Sequence, residues 1–164
     1  MKYFKWETMY ERAPENELEK GQYYQELKML QEEHEIVFVN VQRAFSKTSL
    51  NNYEDSGRFH DYEIKDLAVF TNCKSKDYPR LEIIISLSGI GEYSIHYKGV
   101  SYFEIINEAS DEHSKMVSKW DRFDTYLYDE FDVLENGYYQ HEILLLTRTT
   151  LKIKFRKIII EKKA

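Results

Sequence analysis

From residue 59 onward the apolar residues of this chain fall at every second position, a period that suits β-strands and little else. Leu81, Ile83, Ile85 and Leu87 alternate strictly, with Ile84 on the opposite face. Tyr93, Ile95 and Tyr97 resume the pattern after Gly89 and Gly91, and Leu151, Ile153 and Phe155 repeat it against Lys152, Lys154 and Arg156. Successive side chains of a strand point to opposite faces, so each run reads as a half-buried strand with a core side and a water side. Ile64, Leu67 and Val69 form an earlier strand whose phase slips by one residue, which predicts a bulge near Lys65-Asp66. Further strands are expected at 100–106, at 123–131 with Tyr126 and Tyr128 on one face, at 139–146, and as one run over 151–160. Asn136-Gly137 is the sharpest turn signal, because both residues tolerate the positive φ of a type I′ hairpin.

Before residue 59 the period is helical. Pro14 precedes Glu15-Asn16-Glu17, where a first helical turn accepts both the proline and the negative charge, and Tyr23, Leu27 and Leu30 then recur on one face. Residues 36–45 fit two templates: Val37, Val39 and Val41 make a strand face, Phe38, Val41 and Phe45 a helix face, and the following Gln42-Arg43-Ala44 tips the reading towards helix. Residues 46–58, with Asn51-Asn52 and Asp55-Ser56-Gly57, read as a polar loop. The expectation is one α+β domain over residues 1–164: an N-terminal helix or helices within 1–58, then a β-rich body over 59–164 built on a mostly antiparallel sheet of about six strands.

Composition narrows the function classes. At 164 residues the chain can bury roughly 70% of its unfolded surface, enough for a real core. Its 23 basic and 29 acidic residues give a formal charge of −6, unsuited to a sequence-blind nucleic-acid binder. Lys2 and Lys5 lead into Glu7, Glu11 and Glu15 rather than an apolar leader, and no aliphatic run approaches a membrane span, so a cytoplasmic protein without nucleic-acid or membrane partners is expected. The single cysteine, Cys73, lies beside Lys74 in a polar turn; His60 or His96 could in principle serve it as a base, but an ordinary free thiol accounts for it. Nucleotide-binding glycine motifs and a GxSxG elbow are absent, and no cofactor is expected.

Charge is unevenly placed. Residues 1–66 carry 14 acids and 9 bases, residues 67–147 carry 14 and 7, and residues 148–164 carry 1 and 7. The basic tail alternates with apolar residues, as the solvent face of a half-buried strand does, and cations on an edge strand would discourage aggregation. The acidic stretch is the candidate partner-binding surface: Asp121, Asp124, Asp129, Glu130, Asp132 and Glu135, interleaved with Tyr126, Tyr128 and Tyr138. Carboxylates steer a basic protein into contact and tyrosine rings supply contact area. The weaker alternative is a metal- or ligand-binding enzyme built on His60, Asp61, His141 and Glu142. Adjacent strand residues point to opposite faces, however, so His141 and Glu142 cannot readily share one metal.

Met1-Lys2-Tyr3-Phe4, Phe59-His60-Asp61-Tyr62-Glu63-Ile64, Tyr97-Lys98-Gly99-Val100, Trp120 with Tyr128-Asp129-Glu130, Tyr139-Gln140-His141-Glu142-Ile143-Leu144-Leu145 and Leu151-Lys152-Ile153-Lys154-Phe155 together resemble an uncharacterised family of small Firmicute proteins. The resemblance implies a helical N-terminus, a β-rich body and kinship with proteins found beside polymorphic toxin genes, some of which act as immunity partners. It supplies no catalytic residues. An immunity-type inhibitor of a basic toxin or effector, not an enzyme, is therefore the function expected.

Overall fold

The N-terminal helical spacing is realised as one long helix, α1 (Glu17–Val41), in a computed structural model that describes residues 2–4, 17–74, 76, 78–107 and 125–163. Pro14 and its flanking acids lie outside the described residues. Tyr23, Leu27 and Leu30 are half-buried on the same face as buried His34, Phe38 and Val41. The helix thus runs on through the ambiguous segment: Phe38 and Val41 enter the core while Val39 stays exposed, and a single 3₁₀ turn, Gln42–Ala44, ends it.

The expected loop at 46–58 is instead largely a second helix, α2 (Lys47–Asp55). Ser46 caps it, its hydroxyl accepting the Ser49 N–H at 3.1 Å. Only Ser49 and Tyr53 are buried along it, so its polar composition disguised it. Its task lies at a sheet edge, described below.

The sheet expectation is corrected in number and arrangement: eight strands form two antiparallel sheets of four. One has the order β1-β2-β3-β8, from β1 (Glu63–Thr71), β2 (Leu81–Ser88), β3 (Glu92–Lys98) and β8 (Lys157–Lys162). The other has the order β4-β7-β6-β5, from β4 (Tyr102–Asn107), β5 (Tyr126–Val133), β6 (Tyr139–Leu145) and β7 (Thr149–Phe155). The discrepancy comes from residues 151–160, which are two strands in different sheets. Buried positions switch from Leu151, Ile153 and Phe155 to Ile158 and Ile160 across Arg156-Lys157, where the chain changes sheet. Nor does the basic stripe of β7 guard an edge: β7 lies between β4 and β6, with Lys152 paired to Glu142 at 3.0 Å and the Lys154 ammonium 5.0 Å from the Tyr102 ring centre. The bulge on β1 falls between Ile64 and Asp66 as expected, and Asn136 and Gly137 take φ of 60° and 74° at their turn.

The inner faces of both sheets share one core with α1 and α2. Tyr97 of β3 spans the sheets, its ring edge-on to Phe155 of β7 at 5.2 Å, and Phe38 of α1 meets Phe131 of β5 at 5.6 Å. At one corner the sheets are stitched by backbone: Tyr126 N–H donates to Tyr62 C=O at 2.7 Å and Asp61 N–H to Tyr126 C=O at 2.9 Å. At another, α2 closes the outer edge of β8, with Ser49 Oγ accepting Ile160 N–H at 3.0 Å and Asn52 Nδ2 donating to Ile160 C=O at 2.9 Å.

Ser49→Ala leaves the Ile160 N–H buried without its acceptor, and the expected loss is about 1–3 kcal/mol of unfolding free energy in urea. At Gly89 an added Cβ would stand 2.8 Å from the buried Tyr62 ring. Gly89→Ala should therefore cost about 1–3 kcal/mol by overpacking. Parent-like stability in either variant contradicts the corresponding contact.

Candidate functional site

The site begins with a defect in β5. Tyr126 pairs with Leu145 and Tyr128 with Leu144, which leaves Leu127 as an extra residue. The bulge corrects the expectation that Tyr126 and Tyr128 share a face. Tyr126 and, three positions on, Asp129 both reach His141 in the core, while Leu127 and Tyr128 pack with Leu144 and Leu146.

His141, fully buried on β6, organises what the bulge delivers. Its Nε2 lies 2.7 Å from Asp129 Oδ2 and 3.3 Å from the Tyr126 hydroxyl, its Nδ1 lies 2.7 Å from the Tyr97 hydroxyl, and Phe131 stacks on the ring at 3.8 Å. The Tyr53 hydroxyl donates to Asp129 Oδ2 at 2.7 Å. A carboxylate only accepts, so the shared proton belongs to Nε2. On the other side of the ring Nδ1 is bonded to the Tyr97 hydroxyl, so both ring nitrogens have partners. Burial alone would raise the Asp129 pKa, but the donors from His141, Tyr53 and Tyr126 outweigh it and hold the group below the ordinary carboxylate value. Burial and the charge of Asp129 together push Tyr53, Tyr97 and Tyr126 well above the usual phenol value, so they remain donors.

Asp129 is also among the residues lining a cleft of about 610 Å³ between α1, residues 57–60 and the first half of β5. His34 lines it from α1, with Phe4, Leu127 and Tyr128 as apolar walls. The Phe131 backbone N–H donates to His34 Nε2 at 3.0 Å, so that nitrogen carries no proton. Burial is the largest influence on His34 and lowers its pKa; Asp129 and Glu35 pull the other way, and Arg58 and His141 add to the lowering. The third wall is strained. Gly57, Arg58, Phe59 and Asp61 have φ of 67°, 59°, 62° and 66°, left-handed values that cost a bulky residue such as Phe59 on the order of 1–3 kcal/mol. Burial of Phe59 among Tyr53, Tyr62, Tyr93 and Tyr126 holds the segment, as does the clamp of Glu35 and Glu54 on the Arg58 guanidinium.

The sequence-predicted partner residues are dispersed. Asp121 and Asp124 lie outside the described residues. Tyr126 and Asp129 belong to the buried network, and Tyr128 lines the cleft. Glu130 is buried beneath the N-terminus, accepting the N–H of Lys2 at 2.8 Å and of Tyr3 at 3.0 Å; burial raises its pKa against those bonds. Asp132 and Glu135 are exposed, and Tyr138 sits under the Arg156 guanidinium at 4.6 Å. The alternative set does not converge. His60 holds Asp61 at 3.1 Å on the cleft rim, His141 is in the core, and Glu142 is tied to Lys152 and Gln140. Among the described residues no group of three or more His, Cys, Asp or Glu is placed to hold a metal ion. Cys73 is exposed, and His96 is committed to buried Glu82 at 2.6 Å.

Sequence reasoning missed His34 and the outward face of α1. Tyr24, Met29, Ile36 and Val39 are 64%, 62%, 69% and 61% exposed there. Around them stand the exposed carboxylates Glu26, Glu32, Glu33 and Glu35. The signal was available: apolar residues occur on all sides of the 17–41 helix, so one set had to remain outside the core. Comparison with protein-family models, curated proteins and solved structures finds no match to this chain.

The geometry of His34 sets a pH dependence. Its folded pKa lies below the unfolded value of about 6.5, so its contribution to stability is complete above that pH and is lost as pH falls through the folded value. Unfolding free energy should therefore decline from pH 8 towards pH 5. His34→Gln, whose side-chain carbonyl can accept the Phe131 N–H without titrating, should flatten part of that slope. An unchanged slope, or an NMR titration of the His34 ring at or above the ordinary value, contradicts the assignment.

Proposed function

We propose that this protein is a non-enzymatic protein-binding module, an immunity-type inhibitor that captures a basic toxin or effector on an acidic, partly apolar surface. The observation that carries the reading is the outward face of α1, where Tyr24, Met29, Ile36 and Val39 stand exposed among acids. Exposed apolar groups ringed by one sign of charge suit a partner of opposite charge: the apolar centre supplies contact energy, and the charged rim steers encounter. Glu17–Val41 carries six acids against two lysines. The acidic field also runs onto β5, because Glu33 and Asp132 both lie close enough to act on the Lys2 ammonium. Asp132 and Glu135, both exposed, are included in the proposed surface, whereas Asp129 and Glu130 are buried. A cytoplasmic site of action accords with the proposal, and among the described residues no helix is long and apolar enough to cross a membrane.

The test is affinity capture by the tagged full chain from its host lysate, in parallel with Ile36→Asp and with the Met29→Asp/Val39→Asp pair. These side chains are exposed, so stability should change by no more than about 0.5 kcal/mol. The expected result is a basic protein recovered at low salt, lost at high salt and lost from both variants. Capture indifferent to salt and to the apolar stripe contradicts the proposal, as does recovery of no protein.

A further inference from the structure

We propose that the cleft between α1, residues 57–60 and β5 receives one cationic side chain, arginine in preference to lysine, as the anchor of a bound partner. The inference rests on the protein-binding reading and specifies what the partner inserts. The first argument is a count of charge. The cleft is lined by the acids Glu32, Glu35 and Asp129 and by two fixed cations, Lys28 and Arg58. Lys28 stands 3.9 Å from Glu32 and Arg58 is clamped to Glu35, so each cation is already committed. Among the described residues no lysine or arginine pairs with Asp129, whose partners are the Tyr53 hydroxyl and the His141 imidazole. The lining thus holds one acid more than its lysine and arginine cations, with Asp129 the most buried of the three at 7% exposed. His34 adds no positive charge, because its Nε2 accepts the Phe131 N–H.

The second argument is the chemistry of the walls. Phe4 and Tyr128 stack at 5.7 Å, His60 stands edge-on to Tyr128 at 5.1 Å, and His34 edge-on to Phe4 at 5.4 Å. Aromatic faces beside a carboxylate favour a cation over a neutral or anionic group, and the effect grows as water is excluded. Arginine is preferred because its planar guanidinium stacks on rings and is more weakly hydrated than an ammonium. The space, about 610 Å³, admits a long side chain with its adjoining main chain. The strained wall of residues 57–61 is the kind of overdetermined backbone found at ligand clamps.

The experiment uses the full chain alone, with Nα-acetyl-arginine amide, its lysine counterpart and its citrulline counterpart as probes, followed by NMR at the His34, His60 and Tyr128 rings. The expected result is saturable shifts at all three rings with arginine, weaker shifts with lysine, and affinity lowered about tenfold or more for citrulline, which keeps the shape and loses the charge. Asp129→Asn should lower arginine affinity by a similar factor; should that variant fail to fold, Glu32→Gln at the exposed rim should still lower it by about twofold to fivefold. Equal binding of citrulline and arginine overturns the inference, as do unsaturable shifts or shifts confined to the outward face of α1. The two proposals fail separately. A silent cleft with partner capture still lost in Met29→Asp/Val39→Asp, whose residues do not line the cleft, rejects the anchor alone, whereas arginine binding without any effect of that pair on capture rejects the capture surface alone.

Discussion

An ionised carboxylate in a hydrophobic core is the constraint on which the rest of this structure turns. Asp129 can remain charged there only if donors replace the water it has lost, and those donors come from separate parts of the chain: Tyr53 from α2, Tyr126 from the start of β5 and His141 from β6. Tyr97, from the opposite sheet, completes the arrangement through His141. Both sheets and α2 must therefore be in register at once for one charge to be accommodated. A polar network of this kind penalises misassembled packings more than it stabilises the right one, because a half-satisfied version costs more than an apolar core.

Much of the strand pattern was legible because alternation depends only on which side faces the core. The runs at Leu81–Ser88 and Glu92–Lys98, the bulge on β1 and the Asn136-Gly137 turn all follow from local chemistry. What escaped was set by tertiary context. Residues 151–160 read as one strand until the change of phase at Arg156-Lys157 is noticed, and a change of phase does not say whether the strand is bulged or has passed into another sheet. The short α2 has few apolar residues because much of its work is hydrogen bonding. The candidate site was harder still. His141 and Asp129 share a side of the sheet by ordinary pairing, but only the extra residue at Leu127 brings Tyr126 to that side, and the alternation of the sequence gave no warning of it.

The acids illustrate how composition can mislead about surface. Asp129, Glu130 and Glu142 stand in a sequence region that looks solvated, yet each is buried and held by specific donors or by a lysine. The net negative character that suggested a basic partner is real, but part of it is spent inside the fold. Several of the acids facing solvent lie on α1, so the proposed recognition surface sits on a helix rather than on a strand hairpin. A helix suits that task because it can bury one side in the core while presenting the opposite side without exposing unpaired backbone.

The way α2 meets β8 has a consequence for assembly. Ser49 and Asn52 offer Ile160 an acceptor and a donor, as the main chain of a neighbouring strand would, so two side chains impersonate a ninth strand. With α1 packed on β5, helices meet an outer strand of each sheet, and among the described residues β4 has no neighbour on its outer side and β1 only the bridge from Glu63 to Thr125. Any growth of this molecule by strand addition is thereby polarised. Among the described residues the β4 margin is the more open to an incoming strand, whereas the Ile160 backbone groups on β8 are already occupied by α2.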